Sequence, residues 1–204
     1  MPRDKSETHE KILPVARREF LEKGFAGATM RDIAARAGLT AAGLYRHFAD
    51  KEAMFAALVE PTLAETNRWY MAHRAKDYAY LEAGDLEGMW KQDTELNMMM
   101  GLVYEHFDEF KLLICCSAGT RYAHFMHRCV ELEEKETLDY MNAARAQGVP
   151  VRDVPPAELH LLMSAYVNAL FEVVVHDFTR EQAAHYLTTM ERFFTPGWRE
   201  ILGL

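Results

Sequence analysis

The 204-residue sequence has no long uninterrupted hydrophobic run. No uninterrupted apolar run reaches the roughly 18 residues that a membrane-spanning helix requires. The first residues, MPRDKSETHEK, carry charges where a secretory signal peptide would have its apolar core. These absences favour a cytoplasmic protein without a membrane partner.

Cysteine is scarce as well, with three residues in the chain. Cys115 and Cys116 are adjacent and Cys129 has no obvious mate, so we expect reduced thiols instead of a disulfide framework. Together with His124 and His127, these cysteines leave open a metal-responsive regulator. Their spacing matches no familiar zinc pattern, and we predict no metal site and no cofactor.

The sequence also lacks the alternating pattern of β-strands, whereas helical periodicity runs through nearly all of it. We therefore predict an all-α fold of nine or ten helices. Pro61 and the pair Pro196-Gly197 are expected to end helices, and Thr179 with Gln182 forms a capping box. The predicted helices lie at about 7–23, 29–37, 40–47, 50–61, 62–81, 86–106, 108–117, 120–147, 156–178 and 180–195.

The net charge of −8 argues at first sight against a nucleic-acid partner, but the charge is unevenly distributed. Residues 1–60 contain 10 Lys and Arg against 9 Asp and Glu, whereas the remaining 144 residues contain 13 against 22. This asymmetry is compatible with a small nucleic-acid-binding domain attached to an acidic body.

Residues 29–48 contain two short helical patterns separated by a glycine. Thr29 and Thr40 are good N-caps, and Gly38 can adopt the left-handed conformation that a tight turn needs. The arrangement predicts a helix-turn-helix whose second helix is presented outward. Its inner side chains are Leu39, Leu44 and Phe48, and those outward or at the edges are Ala41, Ala42, Gly43, Tyr45, Arg46 and His47.

Residues 24–55 closely resemble the DNA-binding domain of the TetR family of bacterial transcriptional regulators; their sequence is GFAGATMRDIAARAGLTAAGLYRHFADKEAMF. The resemblance covers the N-terminal quarter, and the helical remainder fits the family in size and class. It rests on Gly24-Phe25, Thr29, Ile33-Ala34, Ala37-Gly38, Thr40, Leu44-Tyr45, His47-Phe48 and Lys51-Glu52.

The resemblance implies a sequence-specific regulator that binds double-stranded DNA, most simply a repressor released from a near-palindromic operator by a small-molecule inducer. Alanine and glycine offer few hydrogen-bonding groups, so direct readout is expected to depend mostly on Arg31 and Arg46. In the family, DNA-backbone contacts fall at the positions of Thr40, Tyr45, His47 and Lys51, and base-facing positions at Arg31, Ala41, Ala42, Gly43 and Arg46.

The resemblance also implies two domains, a helix-turn-helix domain at 1–52 and a helical ligand-sensing and dimerisation domain at 53–204. Residues 155–178 are apolar almost all round, and residues 179–195 add apolar side chains at helical spacing. A helix without a solvated face must be covered on every side. We therefore expect this pair to form a homodimer interface, with a monomer core as the alternative.

Five polar residues recur at intervals of four within 155–178, namely His160, Ser164, Asn168, Glu172 and His176. They are expected to line a pocket, to form hydrogen bonds across the dimer axis or to meet water, and the sequence leaves these three open. Core packing is the commoner role for any single aromatic residue nearby. The candidate ligand pocket comprises Trp69, Trp90, Met99, Tyr104, Phe107, Asn168 and Glu172.

Catalytic motifs are absent from the sequence: we find no nucleophile elbow, no phosphate-binding loop and no HExxH on a helix. We do not expect an enzyme. A helical interaction module without DNA binding is a further alternative, and it would require the resemblance at 24–55 to be accidental.

Overall fold

The computed structural model describes residues 5–90 and 95–204, and within those ranges it contains helices and turns but no strand. The predicted all-α fold is confirmed. The helices of the described ranges are α1 (Lys5–Gly27), α2 (Met30–Arg36), α3 (Ala41–Tyr45), α4 (Lys51–Ala83), α5 (Leu86–Trp90), α6 (Glu95–Glu105), α7 (Phe107–Cys115), α8 (Phe125–Ala146), α9 (Pro156–Val175) and α10 (Arg180–Leu202).

Side-chain caps begin several helices where the sequence predicts them. Asp50 precedes α4, and its Oδ1 accepts a hydrogen bond of 2.7 Å from the Ala53 amide. At the start of α10, the Thr179 hydroxyl accepts from the Gln182 amide, and the Gln182 side chain accepts from the Thr179 amide. This is the predicted capping box, and it satisfies amides that have no partner within their own helix.

Two prolines lie inside helices that we expected them to end. Helix α4 continues through Pro61, and α10 continues through Pro196 to Leu202. A proline in a helix removes one main-chain hydrogen bond, and both rings are exposed here. Buried side chains beside the interruption, such as Val59 and Thr62 in α4, keep the helix packed across the missing bond.

The described part of the helix predicted over 86–106 is helical, apart from its last residue. Helix α5 ends at Trp90 and α6 begins at Glu95, and residues 91–94 lie outside the described residues.

The helix predicted from residue 120 begins later, because α8 starts at Phe125. Thr120 was expected to cap it but closes a preceding turn instead. Its hydroxyl donates to the Ser117 carbonyl at 2.7 Å and accepts from the Tyr122 amide at 3.0 Å. Threonine favours such local turns as readily as helix starts.

The chain forms two compact units, each with its own buried core. The first contains the residues up to Asn67 together with His106–Ala123, and the second contains Arg68–Glu105 together with His124–Leu204. Helix α4 contributes to both. The predicted domain boundary between residues 52 and 53 concerns domains that fold separately. The compact units do not test it, and it stays a prediction.

Helix α9 is long and apolar enough to cross a membrane, with a mean hydropathy of 1.4 over an 18-residue window of which 39% is buried. Core helices of water-soluble proteins meet the same criterion. In the second unit α9 packs against α8 and α10. Glu158 and Glu172, at its two ends, add charge that a membrane core would disfavour.

Candidate nucleic-acid interface and ligand cavity

The helix-turn-helix lies in the first unit and consists of α2, α3 and the turn between them. The Thr29 hydroxyl accepts a hydrogen bond of 3.1 Å from the Asp32 amide, and the Thr40 hydroxyl accepts one of 3.0 Å from the Gly43 amide. Between them, Gly38 has a φ of +69°, in the left-handed region. Both predicted N-caps and the glycine turn are confirmed.

Apolar side chains hold α3 against the rest of the first unit. Leu44 is fully buried, Phe48 is 4% exposed, and Ile33 on the neighbouring α2 is fully buried. A helix of five residues is unstable alone. Its position is therefore set by these contacts and by the Thr40 cap.

The predicted DNA-contacting residues differ in their exposure. An exposed guanidinium can donate two hydrogen bonds to a guanine edge, and an exposed phenol can donate to a phosphate. The roles of these residues in DNA contact stay predictions. Those exposed are Arg31, Thr40, Ala42, Tyr45 and Arg46, those half-buried are Ala41, His47 and Lys51, and Gly43 is buried.

Gly43 has a local role that sequence reasoning missed. A Cβ atom at this position would lie 3.2 Å from the Thr40 Oγ1, which is tighter than an ordinary van der Waals contact. The crowding arises because the Gly43 amide is the group that Thr40 caps. The absence of a side chain therefore helps to begin α3, whatever its part in DNA contact.

Lys51, predicted to contact a phosphate, is bonded within the first unit. Its ammonium donates to the main-chain carbonyls of Phe25 at 2.6 Å and Ala28 at 2.9 Å, and lies 4.3 Å from the centre of the Phe25 ring. These carbonyls follow the kink of α1 at Gly24, where φ is +68°. An ammonium has three donors, so Lys51 uses two of them to fix the chain that leads into α2.

A buried carboxylate joins α1 to α2. Glu19 is fully buried, and its two oxygens lie 2.5 Å from the Lys23 ammonium and 3.0 Å from the Arg36 guanidinium. Arg36 also donates to Glu22 at 2.9 Å. Because a buried carboxylate is costly without opposite charge, Arg36 on α2 is held close to α1.

Residues 106–123 complete the first unit, although they lie far from the helix-turn-helix in sequence. The Phe25 amide donates to the Cys116 carbonyl at 2.9 Å. Tyr122 is 5% exposed, and its ring lies 5.9 Å from that of Phe55. Its hydroxyl donates to the Glu60 carboxylate at 2.9 Å. Sequence reasoning did not connect this segment with the DNA-binding region.

The second unit contains a cavity of about 260 Å³, lined by side chains of α4, α5, α8, α9 and α10. The volume is slightly below the range of about 300–1,000 Å³ that is typical of ligand pockets, so its occupant would be small. The lining rings are Tyr70, Tyr78, Trp90, Tyr140, Tyr166 and Trp198, and the lining charged groups are Arg74, Asp77, Glu133 and Glu136.

Several side chains of the cavity wall form hydrogen bonds or ring contacts with one another. The Arg74 guanidinium donates to the Glu136 carboxylate and lies 5.0 Å from the centre of the Tyr78 ring. The Tyr140 hydroxyl donates to the Met89 sulfur at 3.0 Å, and its ring meets that of Tyr78 edge to face at 5.5 Å. Burial raises the pKa of Tyr140 to about 12, so the phenol stays protonated at neutral pH.

Two buried ring nitrogens of the cavity wall, His73 Nε2 and Trp90 Nε1, have no hydrogen-bond partner among the described residues. His73 is 6% exposed, and the Trp69 ring stacks on it at 4.3 Å. Burial lowers the pKa of His73, so its imidazole is neutral at pH 7. Buried polar atoms are usually paired, so these two nitrogens are exceptions among the residues of the cavity wall.

Among the predicted pocket residues, Trp90 lines this cavity and Trp69 stacks on His73, which also lines it. The Tyr104 hydroxyl donates to the Phe178 carbonyl at 2.8 Å. The remaining positions are Met99, half-buried in α6, Phe107, in the first unit, and Asn168 and Glu172, exposed on α9.

Two cysteines of the metal-responsive alternative, Cys116 and Cys129, have thiols that are hard to deprotonate. Burial raises the pKa of the Cys129 thiol to about 12, and it also raises the pKa of Cys116. A cysteine binds metal as a thiolate, which these shifts disfavour. His127 lies 3.4 Å from Glu131, its neighbour one turn along α8. These observations on Cys116, Cys129 and His127 give no support to metal sensing through these residues.

Helices α9 and α10 expose large apolar side chains. Leu161 is 70% exposed and Phe193 is 75% exposed, while Leu162 and Val175 are 37% and 41% exposed. Exposed apolar residues grouped on a helix pair commonly mark a protein–protein interface. This is the helix pair that the sequence predicts to form a homodimer.

Residues 12–58 match the model of the family described as "Bacterial regulatory proteins, tetR family". No curated protein sequence matches the chain. Among solved structures, the chain is similar to NalD of Pseudomonas aeruginosa, the secondary repressor of the MexAB-OprM multidrug efflux pump. The identity is 22% and the TM-score 0.56, over 93% of this chain and 97% of NalD.

A second structure of NalD, in its native form, is 21% identical with a TM-score of 0.53, over 93% of this chain and 97% of that one. A TetR-family transcriptional regulator from Pectobacterium atrosepticum is 25% identical with a TM-score of 0.47, over 99% of this chain and 97% of that one. The likeness to NalD concerns the fold of the whole chain, whereas the match at 12–58 concerns the region that carries the helix-turn-helix.

Proposed function

We propose that this chain, a member of the TetR family of bacterial transcriptional regulators, is a cytoplasmic repressor released from its operator by a small molecule. The observation that carries the DNA-binding part is the capped helix α3. Leu44 and Phe48 hold it from inside, while Tyr45 and Arg46 project from its exposed side. A short helix fixed in this way is suited to enter a major groove.

The proposed DNA contacts fall into three groups, which differ in their chemistry. Arg31 and Arg46 are the proposed base readers, since their guanidinium groups can bond two acceptors of one guanine. The small residues between them let the main chain approach the groove. The proposed phosphate contacts are Thr40, Tyr45, His47 and Lys51, and the proposed close-approach residues are Ala41, Ala42 and Gly43.

We propose a homodimer through α9 and α10, supported by the exposure of Leu161 and Phe193. Two copies related by a two-fold axis read two inverted half-sites, so the operator should be near-palindromic. NalD is described as a repressor, and we propose the same mode here, because an occupied operator obstructs transcription.

The small molecule is proposed to act through the cavity of the second unit. Suppose that a ligand binds more tightly to a conformation that cannot bind the operator. By linkage, the ligand and the operator then weaken each other's binding by the same factor. The cavity has a polar and aromatic wall with unpaired ring nitrogens, which supports a binding role.

The DNA-binding proposal is tested by selecting sequences from a random DNA library and measuring their affinity at several salt concentrations. We expect a near-palindrome and an affinity that falls steeply with salt. Arg46→Ala should relax the preference at one symmetric pair of positions, at a cost of about 1–3 kcal/mol per half-site. Arg68→Ala, an exposed arginine of the second unit, is the matched control and should change neither. Enrichment of no common sequence would refute the proposal.

A further inference from the structure

The charges that line the cavity are mostly negative. Among the described lining residues, the carboxylates are Asp77, Glu133 and Glu136, and the guanidinium of Arg74 is the matching cation. His73 adds no charge at neutral pH, because burial lowers its pKa. A cavity with this wall favours positive ligands and disfavours anions.

Arg74 illustrates how this wall holds a cation. Its guanidinium is bonded to the Glu136 carboxylate on one side and lies 5.0 Å from the centre of the Tyr78 ring. Aromatic faces attract cations through the ring quadrupole, more strongly when water is excluded. The wall has further rings, among them Tyr70 and Tyr166, and two further carboxylates, Asp77 and Glu133. The Trp90 ring of the wall already has a cation beside it, since the Arg199 guanidinium lies 5.8 Å from its centre.

We propose that the cavity binds small aromatic organic cations, such as protonated arylalkylamines. The aromatic part of the ligand lies among the lining rings, and its ammonium group lies towards Asp77 and Glu133. The inference depends on the proposed function in one respect only, because it treats the cavity as the site where the regulator senses its inducer.

His73 gives the site a further preference, for an ammonium that still carries N–H groups. Its Nε2 is buried without a hydrogen-bond partner among the described residues, and in the tautomer with the proton on Nδ1 it carries a lone pair that can accept a hydrogen bond. A protonated amine can donate to this lone pair, whereas a quaternary ammonium cannot. Asp77 lies four residues from His73 on α4, so both side chains fall on the same face of that helix.

The test uses three probes with one naphthalene skeleton: 1-naphthylmethylamine, which is a cation at pH 7, the neutral 1-naphthylmethanol, and the anion 1-naphthoate. Binding to the full-length chain is measured by isothermal titration calorimetry. We expect the amine to bind about tenfold more tightly than the alcohol, from cation–π and carboxylate contacts, and the anion to bind weakest.

Two substitutions that remove a charge and keep the shape of the side chain test where the ammonium group binds. Asp77→Asn and Glu133→Gln should each reduce the affinity for the amine several-fold while leaving that for the alcohol nearly unchanged. Glu131→Gln, an exposed carboxylate on the same helix as Glu133 that does not line the cavity, is the matched control. Circular dichroism of each variant establishes that it is folded.

Equal affinity for the three probes, preference for naphthoate, or no binding at millimolar concentration would overturn the inference. The same holds if Glu131→Gln matched the effect of Glu133→Gln. Operator release, measured by fluorescence anisotropy, separates the two proposals. Release by the alcohol or the anion, together with no measurable binding of the amine, would leave the regulator standing and remove the cation site. Tight binding of the amine without release would leave the cation site and remove its regulatory role.

Discussion

The two units place their polar groups in opposite ways. The first exposes Tyr45 and Arg46 on a short helix whose inner side chains are buried. The second places carboxylates, phenols and an imidazole in the wall of a cavity formed by five helices. DNA requires donors on a rigid convex element, whereas a small molecule requires an enclosed surface. Substitutions in the two units should accordingly affect different measurements.

The largest effect is expected from the substitution of Tyr122. It tests whether residues 106–123 contribute to the stability of the first unit. Tyr122→Ala removes a ring that is 5% exposed and packs against Phe55. By analogy with other buried aromatic residues, the free energy of unfolding should fall by about 3–5 kcal/mol. Urea denaturation followed by circular dichroism measures it.

Tyr122→Phe separates packing from hydrogen bonding. It keeps the ring and loses the bond from the hydroxyl to Glu60 and the bonds that the hydroxyl accepts from the Arg121 guanidinium. Because these groups are partly exposed, the loss should be about 1–2 kcal/mol. Equal, small losses for both variants would mean that the segment contributes little to the first unit.

The second largest effect is expected on the association of the dimer, which we propose to depend on the second unit alone. Phe193→Asp places a charge on the exposed apolar face of α10 and should weaken association by about 2–4 kcal/mol, since central aromatic residues dominate interfaces. Sedimentation velocity over a range of concentrations measures the change. Met71→Asp alters an apolar side chain of similar exposure, 52%, on α4 and serves as the control. A dimer unaffected by Phe193→Asp would place the interface elsewhere.

Lys51 distinguishes two roles within the first unit. Lys51→Met removes the bonds to the Phe25 and Ala28 carbonyls, and we expect a loss of about 2–3 kcal/mol in the free energy of unfolding. A lysine that only contacted a phosphate would leave stability unchanged and alter the salt dependence of DNA binding. Lys51→Arg retains the charge but not the geometry of two bonds from one nitrogen, so it should recover the salt dependence more fully than the stability.

The difference between the units also explains how far the sequence could predict them. The helix-turn-helix is encoded within twenty residues, where Thr29 and Thr40 each cap an amide three positions further on and Gly38 adopts the left-handed conformation of the turn. Caps and periodicity are local, so they predicted it. The bonds from Lys51 to Phe25 and Ala28 span more than twenty positions and were missed.

The cavity wall is an extreme case of such non-local assembly. It joins residues of α4 and α5 with residues of α8, α9 and α10. Helical periodicity shows which side chains share a face, but it does not show which faces meet. For that reason the sequence predicted Trp90 as a pocket residue but not His73 or Tyr140, and it included Asn168 and Glu172, which are exposed.

The smallest predicted effect is a pH dependence of stability that arises in the second unit. Burial lowers the pKa of His73 from its ordinary value of 6.5; Asp77 opposes this shift and Lys76 adds to it. In the unfolded chain His73 takes up a proton as the pH falls through about 6.5, whereas in the folded chain it stays neutral until a lower pH. The unfolded state then binds more protons, so His73 reduces the stability of the folded state below pH 6.5 and has no such effect above it.

His73→Phe should therefore flatten the decline in the free energy of unfolding between pH 7 and about pH 5.5, while its ring keeps the stacking on Trp69. Urea denaturation at each pH measures the decline for both chains. His185→Phe changes an exposed histidine of α10 and should leave the wild-type pH dependence in place. If the curves of the wild type and His73→Phe ran parallel across this interval, the imidazole would be accessible to protons in the folded chain. The cavity wall would then present a charge at low pH that the binding of an organic cation would have to overcome.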